Sequence, residues 1–204
     1  MPTEFTTTPA GVRRITKVDP SEALDKPNDP KTFLLLSGVN HALFGKRDAK
    51  QFRAPFSFPP LRALTVRVGN RYGTTTLAQI EERVTKLGKE LGVEIVCAQT
   101  DYEGEMCQLI HYSRCLGGVI MNPGAWAHYS YALRDAIDAC DSPVIEVHIS
   151  NVYAREEFRH KSVTAPVVKG YIAGCGILGY DLGLRTAIER RRERDAEVTA
   201  AKQK

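Results

Sequence analysis

Short apolar runs alternate with amphipathic stretches along most of this chain. Five runs have the length and flanking residues of buried strands: FLLLSG, VEIVCAQT, GGVIMNP, SPVIEVHIS and VKGYIAGC. The stretches TTLAQIEERVTKLGKELG, EGEMCQLIHYSRCL and HYSYALRDAIDACD have the apolar spacing of helices, and a last helix is predicted from about Tyr180. Strands that alternate with helices predict a parallel sheet covered by helices on both faces.

Five such strands are the number expected of a flavodoxin-like sheet, so the predicted fold class is α/β, with a flavodoxin-like five-stranded parallel sheet in a single domain. Residues 1–30, rich in Thr, Pro and Asp, are predicted to be an N-terminal arm or disordered leader, and the main folded domain is predicted to cover 31–190. Residues 48–71 make an unusually long connection, predicted to be an inserted lid loop, and 191–204 a charged C-terminal tail.

Composition and charge narrow the class of protein. Hydrophobic residues make up 43% of the chain and charged residues 25%, and no apolar run approaches the roughly 20 residues of a membrane span. The N-terminus lacks the apolar segment of a secretory signal, so we expect a cytoplasmic protein without a membrane partner. Half of the net charge of +4 lies in the C-terminal stretch ERRRERDAEVTAAKQK, where acids interleave with bases, which argues against a nucleic-acid partner. The five cysteines lack C-x-x-C spacing and are predicted to be free, mostly buried thiols.

Polar groups follow three of the predicted strands. Residues 37–40 read SGVN, 122–125 read NPGA and 148–151 read HISN. Ligands of such sheets bind outside the carboxyl ends of the strands, so these ends predict a site for a small hydroxylated anion. A flavin site is disfavoured because hydroxyl groups are few after the first strand. A receiver domain is disfavoured because Asn40 and Asn122 stand where acids are required, and no metal site is predicted because the histidines lack ligand spacing.

Glu146 and His148 stand two apart in one predicted strand, so their side chains share a face. The carboxylate either orients the imidazole or belongs to an ordinary buried ion pair. The position of His148 at the strand end, beside Ser150 and Asn151, favours a chemical role. His128 precedes a predicted helix, where it either reaches a ligand or caps that helix.

Arg47 and Tyr72 flank the long connection. Arg47 either binds a carboxylate and lowers a neighbouring pKa or is a solvated surface residue. Tyr72 precedes Gly73 and a TTTL helix start. A phenol beside an arginine can act as a phenolate base, because the cation stabilises the charged form.

Four motifs occur in a fixed order along the chain: SGVNHALFGKR, RYGTTTLAQIE, NPGAWAHYSYALRDA and IEVHISNVYAREEFRHKS. In this order they resemble the type II 3-dehydroquinate dehydratases, over roughly residues 31–188. The resemblance implies a flavodoxin-like fold and a homododecamer built from trimers. It also implies reversible anti elimination of water from 3-dehydroquinate to give 3-dehydroshikimate, without a metal, a cofactor or a covalent intermediate.

The same resemblance assigns roles to residues of this chain. Tyr72 is expected to remove the proton alpha to the ketone with Arg47 lowering its pKa, and Asn40 to orient a water that stabilises the enolate. His148 is expected to protonate the departing hydroxyl, assisted by Glu146. Substrate binding is expected of Asn122, Gly124, Ala125, His128, Ile149, Ser150 and Arg159, and of Asp135 from a neighbouring subunit.

The chain departs from the family pattern in places. It reads SGVN where NGPN is usual and HYS where HTS is usual, and about twenty residues are inserted between Arg47 and Tyr72. Arg155 is expected to be structural, paired with acids near Glu156. Beside an active dehydratase, the sequence leaves open a non-catalytic protein that binds a cyclic polyol carboxylate, and a hydro-lyase for a related substrate.

Overall fold

The computed structural model describes residues 2–22, 29–44 and 75–203. Within these residues the strands are β1 (Glu4–Thr7), β2 (Arg13–Lys17), β3 (Asp29–Ser37), β4 (Glu94–Gln99), β5 (Leu116–Asn122), β6 (Val144–His148) and β7 (Gly170–Ala173). The α-helices are α1 (Leu77–Glu90), α2 (Glu103–Tyr112), α3 (Tyr131–Asp138) and α4 (Leu178–Ala201). Short 3-10 turns occupy His41–Leu43, Ser113–Cys115, Gly124–His128, Val152–Ala154 and Glu157–His160.

The strands form one sheet in the order β1-β2-β4-β3-β5-β6-β7. Every neighbouring pair is parallel except the antiparallel pair β1 and β2. The five predicted strands are β3 to β7, and their spatial order is that of a flavodoxin-like sheet, which confirms the predicted fold class. The strand order reverses at β3, with β4 on one side and β5 on the other. The crevice between the ends of β3 and β5 is therefore the expected place for a ligand.

The sheet has seven strands among the described residues, so the prediction of five is wrong. The two additional strands, β1 and β2, come from the segment predicted to be an arm or disordered leader. β2 pairs in parallel with β4, where Arg13 lies opposite Val96 and Arg14 opposite Cys97. The hairpin therefore covers the edge that β4 would otherwise expose, and the folded unit begins before the predicted boundary at residue 31.

The last helix is longer than the predicted domain boundary implies. It runs without a break from Leu178 to Ala201 and so includes most of the segment predicted as a charged tail. Arg191, near the start of that segment, is buried and donates a hydrogen bond to the carbonyl of Leu116 over 2.9 Å. The inserted segment 48–71 lies outside the described residues.

The core has two halves because side chains of a strand alternate between its faces. On β3, Leu34 and Leu36 pack with α2 and α3, whereas Phe33 and Leu35 pack with α1 and α4. None of these four side chains is more than 1% exposed, which explains why β3 reads as a continuous apolar run. No helix in the described part of the chain has the length and apolarity needed to cross a bilayer.

An ion pair ties the N-terminal hairpin to α1. Glu81 is only 2% exposed and accepts a hydrogen bond from Arg14 Nε at 2.9 Å. Burial raises the pKa of Glu81, and the Arg14 guanidinium opposes this effect without cancelling it. The hairpin is thus attached to the helix that follows the long inserted segment.

Replacing Glu81 by Gln is expected to change how stability depends on pH. Because the pKa of Glu81 is raised in the folded chain, its contribution to stability is greatest at low pH and is lost as the pH rises through that pKa. The free energy of unfolding of the wild type, relative to Glu81→Gln, should therefore fall in urea titrations as the pH rises above the ordinary pKa of a glutamate, about 4.3. Glu82→Gln, at the exposed neighbouring position, serves as the control. A difference independent of pH would contradict this account of Glu81.

Candidate active site

A cleft opens beyond the carboxyl ends of β3, β5 and β6, at the switch point of the sheet. It is lined by Val39, Asn40, His41, Phe44, Asn122, Gly124, Ala125, His128, His148, Ile149, Ser150, Val152, Arg155 and Arg159. Nine of these were predicted as site residues: Asn40, Asn122, Gly124, Ala125, His128, His148, Ile149, Ser150 and Arg159. The structure therefore brings most of the predicted set together around one space.

His148 and Glu146 meet at the end of β6. The distance from His148 Nε2 to Glu146 Oε1 is 2.7 Å, and the Glu146 side chain is fully buried while His148 reaches the cleft. The second carboxylate oxygen accepts a hydrogen bond from Thr164 Oγ1 at 2.6 Å. The carboxylate thus orients the imidazole, and the nitrogen left for chemistry is Nδ1.

His128 lies across the cleft from His148, with 6.3 Å between the ring centroids. Its Nδ1 is 2.9 Å from the carbonyl of Lys161, so it donates to that oxygen and leaves Nε2 as an acceptor. Burial lowers the pKa of His128, which favours the neutral ring. Helix α3 is capped by Ser130, whose Oγ accepts from the Leu133 amide, so the helix-capping interpretation of His128 is wrong.

Asn40 is placed by a tight approach between two strand ends. Its backbone is left-handed, with φ of 66°, and its backbone N–H donates to Asp101 Oδ1 at 2.6 Å. Two residues earlier, the Gly38 amide donates to the carbonyl of Asn122 at 2.9 Å. A Cβ on Gly38 would lie 2.7 Å from the Pro123 carbonyl oxygen, so only glycine fits there.

We expect Gly38→Ala to disturb the cleft. The clash is with backbone, so the ends of β3 and β5 must separate, which should cost about 1–3 kcal/mol of stability and reduce kcat/KM. Chemical denaturation and initial rates measure the two effects. The control is Gly104→Ala, where the added Cβ meets nothing within 4 Å in α2. Equal behaviour of the two variants would contradict the proposed role of the close approach.

The amide of Asn122 is held in one orientation. Its Nδ2 donates to the hydroxyl of Tyr180 at 2.9 Å, and its Oδ1 accepts from the Gly124 amide at 3.2 Å. Tyr180 is fully buried at the start of α4. The remaining N–H of Asn122 is therefore available to a ligand in the cleft.

Two guanidinium groups line the side of the cleft formed after β6. Arg159 Nε donates to Glu156 Oε2 at 2.8 Å, and Arg155 lies 3.6 Å from the same oxygen. Arg155 Nη1 also donates to Ser150 Oγ at 3.4 Å. Arg155 is paired with Glu156 as the sequence predicts, but it faces the cleft as well. One carboxylate between two guanidinium groups leaves a net positive wall, which suits an anionic ligand.

Comparisons with known proteins fit this site. The model of the family Dehydroquinase class II matches residues 57–188. This chain belongs to that family. It is 51% identical to the 3-dehydroquinate dehydratase of Anoxybacillus flavithermus over 132 residues, which span 64% of this chain and 89% of that protein. It is 44% identical to the 3-dehydroquinate dehydratase of Leptothrix cholodnii over 157 residues, or 76% of this chain and 92% of that protein.

A solved class II dehydroquinase has the same fold. The crystal structure of the type II dehydroquinase from Propionibacterium acnes aligns with a TM-score of 0.65 and 37% identity. The alignment covers 79% of this chain and 99% of that one. The chain therefore spans nearly the whole length of this structural relative, and about a fifth of the chain lies outside the alignment.

Four of the thirteen predicted site residues are not among the described residues that line the cleft. Glu146 is one of them and contacts the cleft residue His148 from the core. Arg47 and Tyr72 lie outside the described residues, so their predicted roles stay predictions. Asp135 is exposed on α3 and is not among the residues that line the cleft of this single chain. Its predicted role, contributed by a neighbouring subunit, also stays a prediction.

Sequence reasoning missed several residues that support the side chains of this cleft. Tyr180, Asp101 and Thr164 fix Asn122, the Asn40 loop and Glu146 respectively. Each lies in a different element from its partner, so no local period links the two. The sequence did contain one indication of Thr164. Glu146 stands in a buried strand, where both carboxylate oxygens need a hydrogen-bond donor, and His148 supplies only one.

Proposed function

We propose that this chain is a 3-dehydroquinate dehydratase of class II that acts in the cytoplasm. The observation that carries the proposal is His148, hydrogen-bonded to the fully buried Glu146 and facing a cleft with two guanidinium groups. Family membership supports the reaction class, because the named relatives are 3-dehydroquinate dehydratases. A non-catalytic binding protein would not need an imidazole oriented by a buried carboxylate.

The substrate carboxylate and hydroxyls bind along the cleft wall. Arg159, His128 and Asn122 supply donors or acceptors, and the segment from Ile149 to Ser150 supplies main-chain amides and a hydroxyl. Gly124 and Ala125 contribute a floor without bulky side chains. A neutral His128, favoured by its lowered pKa, can accept from a substrate hydroxyl through Nε2.

Elimination needs a base and an acid on opposite faces of the substrate. By the family resemblance, Tyr72 removes the proton alpha to the ketone, Arg47 holds it as a phenolate, and Asn40 orients the water that stabilises the enolate. His148 then gives its proton to the departing hydroxyl, while Glu146 stabilises the imidazolium before transfer. Neither a metal nor a covalent intermediate is required for this sequence of steps.

The proposal includes self-association into a homododecamer built from trimers, with Asp135 reaching a neighbouring cleft. Large exposed aromatic side chains support it, because Tyr131, Tyr153 and Phe158 are 62%, 68% and 60% exposed in the single chain. Size-exclusion chromatography with light scattering should give the mass of a dodecamer. A monomer would contradict the assembly and, with it, the role of Asp135.

The reaction is tested by incubating purified protein with 3-dehydroquinate and identifying the product by proton NMR. We expect 3-dehydroshikimate, formed equally well after chelator treatment and in the presence of borohydride. Loss of activity with either reagent would contradict a mechanism without metal or imine. Substrate binding by calorimetry without any product would favour the non-catalytic alternative.

A further inference from the structure

Thr164 lies in the segment 161–165, which follows β6 in the chain and is held by hydrogen bonds to residues around the cleft. The Val163 amide donates to the Ala127 carbonyl at 2.8 Å, and Arg134 Nη1 donates to the Val163 carbonyl at 2.9 Å. The ring of His128 donates to Lys161 in the same segment. These contacts attach the segment to the Gly124–His128 turn and to α3, so the fully buried Thr164 side chain has a defined position.

The hydrogen bonds around Glu146 have one consistent direction. Thr164 gives its only hydroxyl proton to Glu146 Oε2, so in the 3.1 Å contact with Ser162 the serine must donate. Ser162 Oγ accepts in turn from the Ala165 amide at 2.9 Å. In the resulting chain, Ser162 donates to Thr164 and Thr164 donates to Glu146, while His148 donates to the other carboxylate oxygen. Both oxygens of Glu146 are therefore acceptors.

We propose that Thr164 is a positioning residue for the general acid: its hydroxyl keeps the Glu146 carboxylate aimed at His148 Nε2. The neutral ring then carries its proton on Nε2, and the imidazolium gives the substrate its second proton, the one on Nδ1. This inference rests on the proposed dehydratase function. Without the hydroxyl, Glu146 Oε2 would lose its donor in a fully buried place, and protonation of the carboxyl would become favourable. A protonated Glu146 donates to Nε2 and so reverses the tautomer of the neutral ring.

Other charged and titratable groups face this pair from the neighbouring elements. His128 lies 6.3 Å and Tyr171 5.5 Å from the His148 ring, centroid to centroid, and both arginines line the same cleft. Glu156 lies between those arginines and is held by them. Burial raises the pKa of Tyr171 to about 12, so Tyr171 stays neutral. Glu146 is the acid in direct hydrogen-bond contact with the His148 ring, at 2.7 Å.

The test compares Thr164→Val, which removes only the hydroxyl, with Thr164→Ser, which keeps it. For Thr164→Val we expect kcat to fall roughly ten- to a hundredfold, with KM changed less than about threefold. The basic limb of the kcat profile should move to lower pH by about one unit, because the imidazolium loses its counter-charge. Thr164→Ser should restore both the rate and the profile.

A second measurement does not depend on turnover. Nitrogen-15 NMR of the imidazoles, with His148 assigned from a His148 variant, should show the neutral ring protonated on Nε2 in wild type and increasingly on Nδ1 in Thr164→Val. Should that variant fail to fold, Ser162→Ala weakens the same chain one bond further out and should shift the tautomer and pH profile in the same direction, but less.

The outcomes separate the two proposals. Wild-type kcat, pH profile and tautomer in Thr164→Val, or equal damage in Thr164→Ser, would overturn the role of Thr164 while the dehydratase function stands. A wild-type protein without turnover, whose His148 tautomer nevertheless responds to Thr164→Val, would retain the positioning role and overturn the function.

Discussion

His148→Asn should reduce kcat by roughly 10²- to 10⁴-fold, the usual contribution of a positioned general acid. Asparagine preserves a donor of similar reach but cannot transfer a proton to a departing hydroxyl. Since Glu146 and Thr164 hold the ring rather than the substrate, we expect KM to change little. Initial rates from the absorbance of the conjugated product, with substrate affinity from calorimetry, measure the two quantities.

The assignment of the acid can be separated from the assignment of the base. In deuterated water, His148→Asn should still exchange the proton alpha to the ketone of 3-dehydroquinate, because enolate formation precedes departure of the hydroxyl. His160→Asn is the matched control, since His160 is exposed and does not line the cleft. A variant that dehydrates at the wild-type rate, or a control as damaged as His148→Asn, would remove His148 from its proposed role.

Tyr72→Phe should lower kcat by several orders of magnitude, roughly 10²- to 10⁴-fold, with substrate affinity close to that of the wild type. Phenylalanine keeps the ring but has no group that can take the proton alpha to the ketone. In deuterated water this variant should show neither exchange nor product, in contrast to His148→Asn. The pair of variants therefore assigns the two proton transfers to two different side chains.

Tyr102→Phe provides the control for the tyrosine series, because Tyr102 is 75% exposed and is not among the residues that line the cleft. It should keep wild-type kinetics. Near-normal turnover of Tyr72→Phe would mean that another group is the base. The first residues to examine would then be those of the inserted segment 48–71.

The sequence was sufficient to predict the centre of the fold and the convergence of three polar strand ends on one cleft. Phe33 to Leu36 read as a buried strand because helices cover both faces of β3. Glu146 and His148 share a face of β6 because strand side chains repeat every two residues, and the structure joins them by a hydrogen bond. The polar strand ends converge because parallel strands present their carboxyl ends at one edge of the sheet.

What sequence reasoning missed depends on contacts between distant segments. The β2 stretch RRITK has a single buried position, Ile15, so no apolar run marked it as a strand. Its pairing is decided by the open edge of β4 and by the contact of Arg14 with Glu81, 67 residues away. Thr164 and Tyr180 likewise act on partners 18 and 58 residues distant, which no local period can indicate.

The most direct test of the central claim is the ultraviolet progress curve of the wild-type protein with 3-dehydroquinate, recorded beside His148→Asn at equal concentrations of folded protein. The account predicts a steady rise in absorbance from the conjugated product in the wild type and an almost flat trace in the variant. A flat wild-type trace, or equal slopes for the two proteins, would contradict it.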